Sequence, residues 1–396
     1  MGGKGFKAAP GWIENLLPVD DLGHPEGLEN RVIAHPRPLS FWRFLLVALG
    51  LVALVAACGG SDSDDGSEAS STEPEALSFE ETTTVAPTTT TTAPTTTEST
   101  IDPARIAPLT GMVVGPEVNL DHPALVLKID NHPSARPQTG LDQADIVFDL
   151  RAEGVTRFTA VFHSQVPDPV GPVRSSRTSD FDLLSGLDRP LYGSSGGNAI
   201  VMGGLASIDA IPVTNQTRRE YFRNGSRPAP HNLYVNATDL FALAADDVSR
   251  PLPWFSYRAP GDALPASAVP SEGEVTVAFK DGPTAGFTWD ETSGGWLRRQ
   301  NGNPHTNADG VPLAPENVVI MVTSYSVSPA DATSPELEST GSGEMLVLTD
   351  GHEITGTWQR ATPSDKPTLL DATGQPITLT PGRTWVLFPE PGQITT

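Results

Sequence analysis

The tripeptide Asp130-Asn131-His132 directly follows an apolar run, Ala124–Ile129, that reads as a buried strand. In α/β sheets ligands bind beyond the carboxyl ends of strands. An acid, an amide and an imidazole placed there are candidates for proton transfer or for holding a ligand. Arg174 and Arg177 precede a helix expected to begin near Ser179. The unpaired N–H groups of a helix start, with two guanidiniums beside them, favour a phosphate or a carboxylate. Residues 131–177 hold five arginines and five acids, a locally neutral stretch in an acidic chain. The ligand-binding candidates are therefore Asn131, Arg136, Asp145, Arg157, Arg174 and Arg177, joined by His231 and Asn232 of a later Pro-His-Asn string. Asp130 and His132 are the acid–base candidates. The competing reading is that Arg–Asp pairs lock loops together, and that each histidine, flanked by Pro and Asn, is a hydrogen-bonded turn residue.

Other chemistry is excluded or discounted. The chain carries a net charge of −23 over 396 residues, so it is no nucleic-acid binder, because phosphate backbones require a basic surface. One cysteine permits no internal disulfide and no multi-thiolate metal site. No two histidines fall at metal-ligand spacing, and no cofactor is implied. Gly193-Ser194-Ser195-Gly196-Gly197 satisfies the Gly-x-Ser-x-Gly pattern of a nucleophile elbow, yet its paired glycines read more simply as a close-approach turn.

The single cysteine points to an address. Phe44–Ala57 is an uncharged run of 14 residues, too short to span a membrane, where about 20 are needed, but suited to the core of a secretory signal. Arg31, Arg37 and Arg43 precede it, and Leu54-Val55-Ala56-Ala57-Cys58 follows, in the manner of a bacterial lipobox. Cys58 is thus expected to carry a diacylglyceryl anchor on the outer face of the cell membrane. A cell-wall polymer or an envelope protein is the expected partner.

The elements that must position the polar cluster divide the chain. Residues 1–30 fit no signal and read as an over-extended gene start, and residues 31–58 are the lipoprotein signal. Residues 59–106 read as a tether: residues 59–101 carry nine acids and no base, and Thr82–Thr100 has 12 threonines in 19 residues. Residues 107–250 show strand candidates at Ala124–Ile129, Asp145–Leu150, Arg157–His163 and Pro190–Ser194, and helices from Ser179 to Leu187 and Ala237 to Ala245. That alternation predicts a mixed α/β domain. A Pro- and Ala-rich linker, 251–273, leads to a mainly β domain at 274–392, whose strand-like pieces are separated by turns such as Asp281-Gly282 and Asp350-Gly351.

The motifs Pro108-Leu109-Thr110-Gly111, Ile129-Asp130-Asn131-His132-Pro133, Ala144-Asp145-Ile146-Val147, Gly171-Pro172-Val173-Arg174-Ser175-Ser176-Arg177 and Pro230-His231-Asn232-Leu233-Tyr234 together resemble the YerB-like lipoproteins. Gly356-Thr357-Trp358 and Pro381-Gly382-Arg383-Thr384-Trp385 extend the resemblance into the second half. It implies a lipid-anchored envelope protein with two domains of unknown function, and supplies no catalytic residue. The order Asp145, Arg157, Pro172-Val173-Arg174 and then a glycine-rich turn is also distantly similar to the envelope phosphotransferases of the LytR–Cps–Psr type, without their second acid next to Arg174. That likeness implies an alternative, an enzyme acting on an anionic glycopolymer or polyprenyl substrate.

Overall fold

A computed structural model describes residues 102–216 and 218–396; the signal, Cys58 and nearly all of the tether lie outside them. The described residues fall within one compact unit.

Apolar runs bounded by turn residues become strands, as their period of two requires. In the first half these are β1 (Leu125–Asp130), β2 (Ile146–Arg151), β3 (Thr156–Phe162), β4 (Leu191–Gly193), β5 (Ile211–Pro212), β6 (Tyr221–Arg223) and β7 (Leu233–Val235). The second half adds β8 (Val269–Pro270), β9 (Val275–Ala278), β10 (Thr284–Asp290), β11 (Gly295–Gln300), β12 (Asn303–Pro304) and β13 (Asn317–Met321). It continues with β14 (Tyr325–Val327), β15 (Pro335–Leu337), β16 (Gly341–Thr349), β17 (His352–Arg360), β18 (Thr368–Asp371), β19 (Thr384–Leu387) and β20 (Ile394–Thr395). The helices are short: α1 (Asp180–Ser185), α2 (Ala199–Leu205) and α3 (Ala237–Phe241).

One mixed sheet of 11 strands runs through both halves in the order β18-β17-β16-β13-β19-β2-β3-β1-β4-β5, with β8 paired to β17. The halves meet where β19 lies parallel to β2, Trp385 opposite Val147. Alternation along β1 and β3 sends Leu127, Ile129, Phe158 and Phe162 to one face, against Phe287 and Trp296 of a five-stranded sheet, β12-β11-β10-β9-β20. Val126 and Val161 point to the other face, which Leu183, Leu184 and Trp254 cover.

The fold is therefore mainly β. The second half matches the expectation, but the α/β alternation expected of the first half is met only loosely. Strands β2 and β3 pair antiparallel across the turn Ala152–Val155. That leaves no room for the dozen or more residues a parallel crossover needs. Helix α1 begins without a side-chain cap. The Ser179 hydroxyl makes no cap bond; it accepts from the Leu337 N–H at 2.9 Å and faces the Pro335 carbonyl at 3.3 Å. The helix ends at Ser185 with Gly186 as its cap, short of Leu187.

Candidate anion-binding site

The carboxyl end of β1, the start of β3 and the turn joining β2 to β3 place charged side chains on one face of the sheet. Asp130 stands opposite Arg157 in the β1–β3 register, two residues beyond Lys128 on the same face. Asp130 is 1% exposed, and its carboxylate is held on three sides. The His132 N–H reaches Oδ1 at 3.0 Å, His231 Nδ1 reaches Oδ2 at 2.7 Å, and Arg174 Nε lies 3.4 Å from Oδ2. A carboxylate only accepts, so the proton of neutral His231 sits on Nδ1 and its Nε2 is the acceptor. The ring of His132 stacks on that of His231 with centroids 4.3 Å apart. His132 Nδ1 accepts from the Ser134 N–H at 3.1 Å, which puts the proton of neutral His132 on Nε2. One imidazole is thus poised to donate and its neighbour to accept.

Three guanidiniums adjoin this pair. Arg177 grips Glu153 with Nε at 2.9 Å and Nη2 at 3.0 Å, and Arg157 Nη2 lies 3.2 Å from the same carboxylate. Burial opposes ionisation of Glu153, but the Arg177 and Ser334 hydrogen bonds and the Arg157 charge outweigh it and hold the carboxyl down at about 2. Arg157 is only 8% exposed, and its Nε and Nη1 are buried without a hydrogen-bond partner. Burial first, then the charge of Arg177, pulls its guanidinium down to about 10. Arg157, Arg174 and Arg177 face two carboxylates, Asp130 and Glu153, so one positive charge is left over where two buried N–H groups have nothing to bind.

Residues 109–249 match the family described as "Protein of unknown function (DUF3048) N-terminal domain", and residues 275–386 match its C-terminal domain. The chain belongs to the YerB-like, two-domain family. It is 29% identical over 297 residues, 71% of this chain and 85% of the relative, to the Bacillus subtilis (strain 168) protein named "Putative lipoprotein YerB". It also superposes on the crystal structure of the YerB protein from Bacillus subtilis with a TM-score of 0.62 at 25% identity, covering 73% of this chain and 98% of that one.

Within this YerB-like fold the sequence candidates separate. Asp130, His132, Arg157, Arg174, Arg177 and His231 gather. Asn131 lies on the opposite face, where its amide donates to Thr156 Oγ1 at 2.9 Å and to Gln300 Oε1 at 3.3 Å. Asn232 is a turn lock: Oδ1 accepts from Arg223 Nη1 at 2.7 Å, while Nδ2 donates to the carbonyls of Asn224 and Arg227. Arg136 lies apart, beside Gln300 and His305. Ser195 of the glycine-rich turn pairs at 3.2 Å with the Ser175 hydroxyl rather than with an imidazole. That turn requires Gly196, whose φ is +101° and where a Cβ would lie 2.4 Å from Gln216. Among the described residues no group of three or more His, Cys, Asp and Glu side chains is placed to hold a metal.

Asp145 is outside the cluster, at the far end of β2. It is fully buried, and its Oδ2 accepts from the Ser164 N–H at 2.8 Å. Burial pushes its carboxyl up to about 6, against the pull of the Ser164 bonds and Arg383. The folded state therefore holds this proton more tightly than the unfolded chain does. The contribution of Asp145 to stability is greatest below about pH 4 and is lost as pH rises through about 6. A carboxyl-carbon NMR titration should place its midpoint near 6; a midpoint near 4 would contradict the burial argument.

Two buried networks escaped the sequence reading. Lys128 Nζ bonds Asp180 Oδ1 at 2.6 Å and Thr159 Oγ1 at 2.9 Å, and the Tyr192 hydroxyl donates to Asp180 Oδ2 at 2.7 Å. This fully buried pair lies under the arginines and fixes Arg177 through its N–H, 2.9 Å from Asp180 Oδ2. On the other face Gln138 donates to the Asp130 carbonyl at 2.9 Å and meets His305 Nε2 at 2.8 Å. The end of β1 is thereby tied to the five-stranded sheet. The only sequence signal for the first network is Lys128, a charge inside the apolar run Ala124–Ile129.

Proposed function

We propose that this protein is an envelope lipoprotein, anchored outside the cytoplasmic membrane through Cys58, whose folded part binds a phosphate-bearing envelope ligand at Arg157, Arg174 and Arg177. The single observation that carries the reading is Arg157: a guanidinium 8% exposed, with two buried N–H groups unbonded and two further arginines beside it. Leaving such groups unpaired costs about 1–3 kcal/mol each, so a ligand that bonds them gains what the protein alone forgoes. An anion supplies the missing charge, and phosphate oxygens suit a forked guanidinium. The lipobox, the tether and the name of the Bacillus subtilis relative support the location.

The test is calorimetric titration of the detergent-solubilised full-length protein with a polyprenyl phosphate. Wild type should bind, and Arg157→Gln should bind roughly 10- to 100-fold more weakly, the worth of one or two charge-assisted hydrogen bonds. Equal affinity would remove the anion site.

The 2.7 Å contact of Asp130 with His231 favours a second reading, in which the same ligand is a substrate. A carboxylate-oriented imidazole base beside an imidazole donor is a general acid–base pair. Turnover of a phosphoester that is lost in His231→Gln while ligand affinity persists would select this reading over simple binding.

A further inference from the structure

We propose a second ligand site, separate from the arginine cluster, in the cavity whose wall carries Arg136, and we infer that it takes a carboxylate-bearing sugar. The cavity measures about 420 Å³, within the ~300–1,000 Å³ typical of small-molecule sites, and no acidic side chain lines it. Arg136 sits half-buried there with its Nε buried and unbonded. Burial is what lowers its pKa, and no carboxylate acts on it. A cation without a counter-charge is conspicuous in a chain that carries −23 overall.

The neighbouring amides are oriented to donate. Gln300 Oε1 is consumed by Arg298 Nη1 at 2.8 Å and by Asn131 Nδ2 at 3.3 Å, which leaves its Nε2 as a donor. Asn301 Oδ1 accepts from the Thr284 N–H at 2.8 Å, leaving its Nδ2 likewise. Both nitrogens of His305 are engaged, by Arg298 and by Gln138, and burial together with Arg298 keeps the ring neutral. The site thus offers one planar, forked cation and amide donors. That set matches a single carboxylate and sugar oxygens better than a dianionic phosphate. Pro133, Pro137 and Pro304 supply the apolar wall on which a sugar ring can rest.

The test titrates the detergent-solubilised full-length protein with N-acetylmuramic acid, and with N-acetylglucosamine, the same sugar without the lactyl ether that bears the carboxylate. Wild type should bind the acid and not the neutral sugar. Arg136→Gln should weaken binding of the acid at least tenfold, and Arg157→Gln should leave it unchanged, so that this site and the arginine cluster stand or fall separately. Arg136→Lys, which keeps the charge without the fork, should also bind more weakly and serves if the glutamine variant fails to fold. No binding of the acid by wild type, equal binding of the two sugars, or undiminished binding by the Arg136 variants would overturn the proposal.

Discussion

Replacing Arg298 by leucine is expected to destabilise the fold by about 3–5 kcal/mol, the cost of removing one partner of a buried ion pair. Arg298 and Asp149 are 0% exposed on both sides and meet at 2.8 Å between the two sheets. The guanidinium lies over Trp385 at 4.7 Å, over Phe158 at 5.3 Å and over Phe287 at 5.9 Å from the ring centroids. It also holds Gln300 and His305. Burial drives the Asp149 carboxyl up and the Arg298 guanidinium down, and their mutual attraction is the largest effect opposing this. Leucine would therefore strand a carboxylate in an apolar interior. Since whole domains are stable by only about 5–15 kcal/mol, urea denaturation should show a large fall in midpoint. The double variant Arg298→Leu with Asp149→Leu should recover most of the loss, because an apolar pair needs no charge compensation. A fall below about 1 kcal/mol for the single variant would mean that water reaches the pair.

The second large effect is on location. Cys58→Ser should release the mature protein from the membrane into the soluble extracytoplasmic fraction. Each acyl chain contributes about 0.8 kcal/mol per buried methylene, and one chain alone binds only marginally, so two are needed for stable anchoring. A serine accepts no thioether-linked diacylglyceryl group. Among the described residues no helix is long and apolar enough to cross a membrane and take over that role. Cell fractionation with immunodetection reads the outcome. Retention of Cys58→Ser in the membrane at the wild-type level would show that no lipid on Cys58 holds the protein there.

Much of the strand layout was legible because it depends on local chemistry. Ala124–Ile129, Asp145–Leu150 and Arg157–His163 each became a strand within a residue or two, since short apolar runs between turn residues can bury themselves only in a sheet. Helix α2 was missed because Gly203 and Gly204 at its end are poor helix formers. The sheet joining the halves was not legible. The pairing of β19 with β2 depends on residues more than 200 positions apart, and no periodicity encodes it. The site followed the same rule. Asp130 stood out by type and by its place after a strand, Arg174 and Arg177 by type and by their place before a helix. That His231 bonds Asp130 across 101 residues, and that Arg136 turns to another cavity, are facts of topology. Glu153, the carboxylate that neutralises part of the cluster, sits on a turn whose sequence, Ala152-Glu153-Gly154, gives no hint of its partners.

We propose that Arg157 is held ready for an anion. It is tested most directly at the atom concerned, by following the side-chain Nε–H resonance of Arg157 in ¹⁵N-labelled protein, assigned through Arg157→Lys, as a polyprenyl phosphate is added. Nε is buried and has no protein partner. Binding at the cluster should move this resonance downfield and slow its exchange with water, in proportion to occupancy. A resonance that stays in place while the ligand saturates the protein would contradict the claim.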